Sequence, residues 1–171
     1  MASPALPVYI EIEKGSNIKY EFDKTTGTLQ VDRVLETTTG YPFAYGFFPN
    51  TLADDGDELD VLIIRKQNDI CNDRVYPVHI IGALVMEDEK GMDEKILCVL
   101  EDDYARIQDI QDLDTATKDE INTFFSTYKL NSPGRWSKTY GFLNFQQAVQ
   151  LYAKSLPPEE ASLRGKSLLS K

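Results

Sequence analysis

Short runs rich in β-branched and aromatic residues recur through the first hundred positions, most of them alternating apolar with polar side chains. They predict strands at 8–12, 18–22, 28–34, 59–64, 75–86 and 95–100. Turn residues separate them: Thr25-Thr26-Gly27-Thr28 suits a short hairpin, and so does the stretch 88–93 around Gly91. Val61-Leu62-Ile63-Ile64 is apolar at every position, so a strand there needs cover on both faces. Further on, the period changes. Ile121, Phe124, Phe125 and Tyr128 share one helical face, with Thr117 and Glu120 spaced as a capping box, which predicts a helix over 117–129. Asn144 and Gln147 precede a second face of Phe145, Ala148, Val149 and Tyr152, in a helix that ends before Pro157-Pro158.

Strands first and helices last imply a β-rich α+β fold, a mostly antiparallel sheet or small barrel with two main helices on one side. With 171 residues, 42% of them hydrophobic, a single domain over 1–171 is expected, its polar tail after 157 loose. The net charge of -10 opposes a broad grip on nucleic acid or anionic lipid. No run approaches a membrane-spanning length and no export signal opens the chain, so a cytoplasmic protein is expected. Cys71 and Cys98 lack the spacing of a zinc site or redox pair and are expected to be reduced thiols.

The acidic segment Asp54-Asp55-Gly56-Asp57-Glu58-Leu59-Asp60 runs straight into the apolar strand at 59–64. Carboxylates held this close repel one another unless water or a hard divalent cation joins them. Asp55, Asp57 and Asp60 are thus candidate ligands, held still by the strand behind, although the spacing fits no EF-hand loop. A second acidic turn carries Asp88 and Asp93 on opposite sides of one loop. If the two turns face each other they form a multi-carboxylate site suited to Mg²⁺; otherwise each is a solvated turn.

Lys19 and Glu21 share the polar face of one strand, where an ion pair is the ordinary outcome. Arg33 shares alternation phase with Leu29 and Val31 and so points inward, toward either a structural carboxylate or a phosphate. Tyr41 and Tyr45 fall on one face of an extended segment, where core packing is the default. Lys129 suits the end of a helix. His79, the sole histidine, has no evident partner and is expected to be structural, which disfavours a nucleophile triad or a histidine zinc site.

Together these segments resemble the soluble family I inorganic pyrophosphatases. The resemblance runs from about Val8 to Gly141 on Glu11, on Lys19 and Glu21 in Ile-Lys-Tyr-Glu, on Arg33 in Val-Asp-Arg, and on Tyr41 and Tyr45 in Tyr-Pro-Phe-Ala-Tyr-Gly. It continues through Asp-Gly-Asp-Glu-Leu-Asp, Asp88, Asp93, Lys95, Phe-Phe-Ser-Thr-Tyr128-Lys129 and Gly-Arg-Trp. Departures are Glu13 and Glu58 where proline is common, Ala44 where asparagine is common, and Arg135 where lysine is usual.

The resemblance implies a five-stranded barrel of OB type with helices packed outside it. It implies several Mg²⁺ ions, replaceable by Mn²⁺ or Zn²⁺, on Asp55, Asp60, Asp88, Asp93 and Glu21. It implies pyrophosphate held by Lys19, Arg33, Tyr45, Lys95, Tyr128 and Lys129, with Glu11 and Tyr41 supporting. A metal-activated water attacks directly with Asp57 as general base, and the chain assembles as a homo-oligomer, a hexamer by its compact length. The rival readings are a phosphohydrolase for polyphosphate or nucleotides, an OB-type single-strand binder, and a Ca²⁺-binding acidic protein. The negative charge opposes the second, and the third leaves Lys19, Arg33, Lys95 and Lys129 without a purpose.

Overall fold

The computed structural model describes residues 4–35 and 40–157. In chain order its elements are β1 (Leu6–Ile12), β2 (Ile18–Asp23), β3 (Thr28–Val34), β4 (Ala44–Phe48), β5 (Leu59–Ile63), β6 (Arg74–Asp88), β7 (Gly91–Met92) and β8 (Lys95–Val99). Then follow α1 (Glu101–Tyr104), a 3₁₀ turn at Ile110–Asp112, α2 (Thr115–Thr127), β9 (Ser137–Leu143) and α3 (Phe145–Lys154). Strands β1, β4, β5, β8 and β6 are neighbours in that order, and β6 pairs again with β1, which closes a ring of five. The ring agrees with the OB-type architecture. Only β5 and β8 in it run parallel.

The unbroken apolar run in β5 is explained by this closure. Leu59, Val61 and Ile63 enter one core cluster with the Phe145, Ala148, Val149 and Tyr152 face of α3. Leu62 and Ile64 enter a second with Tyr41, Tyr45 and the Ile121, Phe124 and Phe125 face of α2. The two main helices therefore serve separate cores and do not share one side, because a strand apolar on both faces needs a cover for each.

Apart from the two-residue β7, two strands were not legible in the pattern. β4 is a continuous apolar run beside a proline, and it is admitted between β1 and β5 by Gly46, where a Cβ would stand 1.8 Å from the Tyr9 carbonyl oxygen. β9 has weak alternation and exists because the far half of the 15-residue β6 offers it a free edge. The capping of α2 also differs. Asp114 is the N-cap, accepting from the Thr117 amide at 2.8 Å, so Thr117 already lies within the first turn and the Thr117–Glu120 box does not form. For α3 the Asn144–Gln147 box forms in both directions. The expected loose tail lies at 158–171, outside the described residues. Both cysteines are free, and among the described residues no helix is long and apolar enough to cross a membrane.

Candidate active site

The acidic turn ahead of β5 is built by its own backbone. Ala53 donates to the Asp57 carbonyl at 2.7 Å and Gly56 to the Ala53 carbonyl at 3.0 Å, and Gly56 adopts a φ of +89° that a side chain would strain. The Asp55 carboxylate accepts from the Asp57 amide at 3.0 Å. Behind the turn, buried Thr51 accepts from Leu59 N–H and donates to the Phe48 carbonyl, fixing where β5 begins. Asp57 is left exposed to solvent, while Asp55 and Asp60 are half-buried. Loss of solvent raises the Asp55 carboxyl above the usual range, against the pull of the Asp57 amide.

Sheet register then decides what meets Asp60. The parallel pairing of β5 with β8 sets Asp60 beside Lys95. Lys95, only 2% exposed, donates to Asp60, Asp93 and the Tyr45 hydroxyl, each at 2.8 Å. Burial works against the Lys95 charge, but the two carboxylates hold its pKa well above the ordinary lysine range. Burial drives the Asp60 carboxyl upward against the pull of Lys95, whereas Asp93, also desolvated, is held low by Lys95, Asp60 and Lys129. Tyr41, Tyr45 and Tyr128 are raised by burial, so their hydroxyls keep their protons.

The second acidic turn separates its two aspartates as expected. Asp88 accepts from the Lys90 amide at 2.9 Å and pairs with Lys129 at 3.0 Å, while Asp93 serves Lys95. Lys129 lies one residue past the C-cap of α2. It is buried and also faces Glu89, which accepts from the Trp136 amide and so ties the loop before β9 to the site. Its role thus extends beyond the helix dipole: burial lowers its pKa, but Tyr128, Asp88 and Glu89 raise it more.

The β2–β3 hairpin forms a sheet of its own, facing these turns. Lys19 pairs across it with Asp32 at 3.3 Å. Arg33 lines the cavity and its buried Nε has no hydrogen-bond partner. Arg33 turns inward as expected, but not by simple alternation: the register shifts between Lys19 and Tyr20, so Asp32 is an extra residue, and Val31, which alternation would put on the same face, is 59% exposed. Glu11 accepts from the Phe22 amide at 2.9 Å, and burial pushes its carboxyl up to about 7. His79 lies away from the cavity. It has partners after all, stacking on Tyr104 and bonding Glu101.

One cavity of about 460 Å³ gathers Lys19, Glu21, Arg33, Lys95, Tyr128 and Lys129 with Asp55, Asp57, Asp60, Asp88, Asp93, Tyr45, Glu11 and Tyr41. Lys24, Glu58, Glu89 and Lys90 line it too; they sit in charged turns that resemble solvated turns in sequence. Among the described residues no three carboxylate, imidazole or thiolate groups converge closely enough to hold one ion as they stand. Asp55, Asp57 and Asp60 therefore do not close on a single point, and Asp60 is turned to Lys95. The donor set still fits hard cations: it is all oxygen, and carboxylates outnumber cationic side chains on the wall.

The family model for inorganic pyrophosphatase matches residues 8–157. The chain is 44% identical over 151 residues to the inorganic pyrophosphatase of Campylobacter jejuni, covering 86% of this chain and 87% of that one. It is 46% identical over 165 residues to that of Sulfolobus acidocaldarius, covering 90% and 92%. The solved inorganic pyrophosphatase of Helicobacter pylori superposes with a TM-score of 0.86 at 42% identity, over 92% of this chain and 94% of that one. Matched in sequence over most of its length and in fold around the same ring of strands, the chain belongs to the inorganic pyrophosphatase family.

Proposed function

We propose that this chain hydrolyses inorganic pyrophosphate to two orthophosphates by direct attack of water, with Mg²⁺ as the working cation. The observation that carries the reading is a single cavity with opposed walls. One wall is carboxylate-rich and the other presents Lys19 and an Arg33 whose buried Nε lacks a partner. Asp55, Asp60, Asp88, Asp93 and Glu21 would hold the cations. When bound, Mg²⁺ neutralises phosphoanhydride charge and makes water more acidic; Mn²⁺ or Zn²⁺ offers similar chemistry.

The protein's own groups do the rest. Arg33 and Lys19 hold the leaving phosphate, and Lys129 with Tyr128 holds the phosphate under attack. Lys95, whose three donors serve Asp60, Asp93 and Tyr45, would turn to the phosphate as cations take those carboxylates, and the Tyr45 hydroxyl beside it would donate its own proton. Asp57, exposed at the tip of the acidic turn, takes the proton of the attacking water as the new P–O bond forms and the bridging P–O bond breaks. Both electrons of that bond leave with the departing phosphate, and no phosphoenzyme forms. Glu11 and Tyr41 support from behind. Positioning and electrostatic stabilisation supply the rate, as phosphoryl transfer requires.

The test compares wild type with Asp57→Asn and Asp60→Asn, each checked for its fold, by orthophosphate release from pyrophosphate, tripolyphosphate and ATP. Asp57→Asn is expected to lower kcat by about 10²–10⁴-fold, and Asp60→Asn to weaken Mg²⁺ activation. Preference for ATP or tripolyphosphate would overturn the substrate assignment. A cytoplasmic homohexamer, which the family resemblance implies, belongs to the same proposal. Sedimentation showing a stable monomer or dimer would end the hexamer.

A further inference from the structure

The β2–β3 hairpin carries Lys19, Glu21 and Arg33 but belongs to no ladder of the ring. Near its end it is held by the Phe22 amide bonded to Glu11 at 2.9 Å and by the Phe22 ring against Tyr9 at 5.2 Å. At its tip, Lys24 reaches across the cavity mouth to Glu58 of the acidic turn, with Nζ 2.6 Å from the carboxylate. Among the described residues this is the ion pair that joins the hairpin to that turn. Lys24 is exposed and Glu58 is its one carboxylate within ion-pair distance, with Asp57 of the same turn adding a weaker attraction, whereas the Glu58 side chain is only 15% exposed, so one end of the contact is anchored.

We propose that Lys24 and Glu58 form a latch that holds the hairpin tip against the acidic turn, making both positioning residues for substrate capture. The latch rests on the pyrophosphate reading for its catalytic consequence but not for its structural one. Without it the hairpin samples open arrangements in which Lys19 and Arg33 stand away from the carboxylate wall. Apparent affinity then falls by the fraction of molecules competent to bind, while turnover of the bound complex is little altered. A surface ion pair is worth little, so the effect is modest.

The experiment uses the full chain with Lys24→Ala, Glu58→Gln, the double variant and Lys24→Arg. Hydrogen exchange of the hairpin amides is read without metal, and kcat and KM for pyrophosphate are read with Mg²⁺. Each single variant is expected to speed hairpin exchange and raise KM by about threefold, with kcat within about twofold. The double variant should be no worse than either single, and Lys24→Arg should retain wild-type values. Hairpin exchange unchanged in the single variants would overturn the latch. So would effects that multiply in the double variant, or a KM raised by Lys24→Ala but not by Glu58→Gln, which makes Lys24 a direct substrate ligand. If wild type does not hydrolyse pyrophosphate, the functional reading fails and the exchange measurement alone decides the latch.

Discussion

The floor of the cavity and the hairpin facing it hold their charges in opposite ways. On the floor, Lys95 is almost fully buried and makes three hydrogen bonds to groups fixed by β4, β5 and the turn before β8. On the hairpin, Lys19 and Lys24 pair in partly or largely exposed contacts, and Arg33 keeps a buried donor unmatched. Charges satisfied inside the protein build a rigid frame; charges left unsatisfied await a ligand. A phosphoryl-transfer site needs both, because positioning requires rigidity and capture requires unspent donors.

The largest expected break in that contrast is Lys95→Met. It leaves the half-buried Asp60 and Asp93 without their buried cation, and urea unfolding without metal should show a loss of about 3 kcal/mol, the lower end for a broken buried pair. Added Mg²⁺ should recover part of it, because a cation bound by these carboxylates would again offset their charge. A loss below about 1 kcal/mol would mean that the floor is not a charge-matched frame.

Glu11 joins the two regions. Burial raises its carboxyl to about 7, so the fold favours the uncharged form. The stability from that preference is complete below the ordinary glutamate pKa and is lost as pH rises through about 7. Glu11→Gln, which cannot ionise, should therefore gain on wild type between about pH 4.5 and 7, by up to about 3 kcal/mol without metal. Parallel stability curves across that range would contradict the burial argument.

Arg33→Lys sharpens the hairpin side. Replacing the guanidinium fork by a point charge should lower kcat/KM about 10- to 100-fold while stability stays near wild type. Unchanged kinetics would remove Arg33 from the substrate. The smallest effect is expected outside both regions: Asn144→Ala removes the α3 cap and should cost about 1 kcal/mol in unfolding, with kinetics unmoved.

Strong local signals were the legible ones. The two-faced run of β5, the Asn144–Gln147 box and the two acidic turns could be read because each depends on neighbours in sequence. What failed depends on partners far away. β9 follows from a free edge on β6, and Arg33 turns inward as expected but through a bulge that flips the phase of β3 and not through simple alternation. Likewise, spacing suggested convergent carboxylates, whereas the β5–β8 register turns Asp60 toward Lys95. The candidate site residues were named through resemblance more than through periodicity, and one cavity gathers them. Lys24 and Glu58 escaped because charged turn residues ordinarily face water.

The most direct test is orthophosphate release from pyrophosphate by folded wild-type protein, followed before and after chelation and then with Mg²⁺ restored. The account predicts release that stops on chelation and returns with Mg²⁺. Release that persists without any divalent cation, or none with Mg²⁺ present, would contradict it.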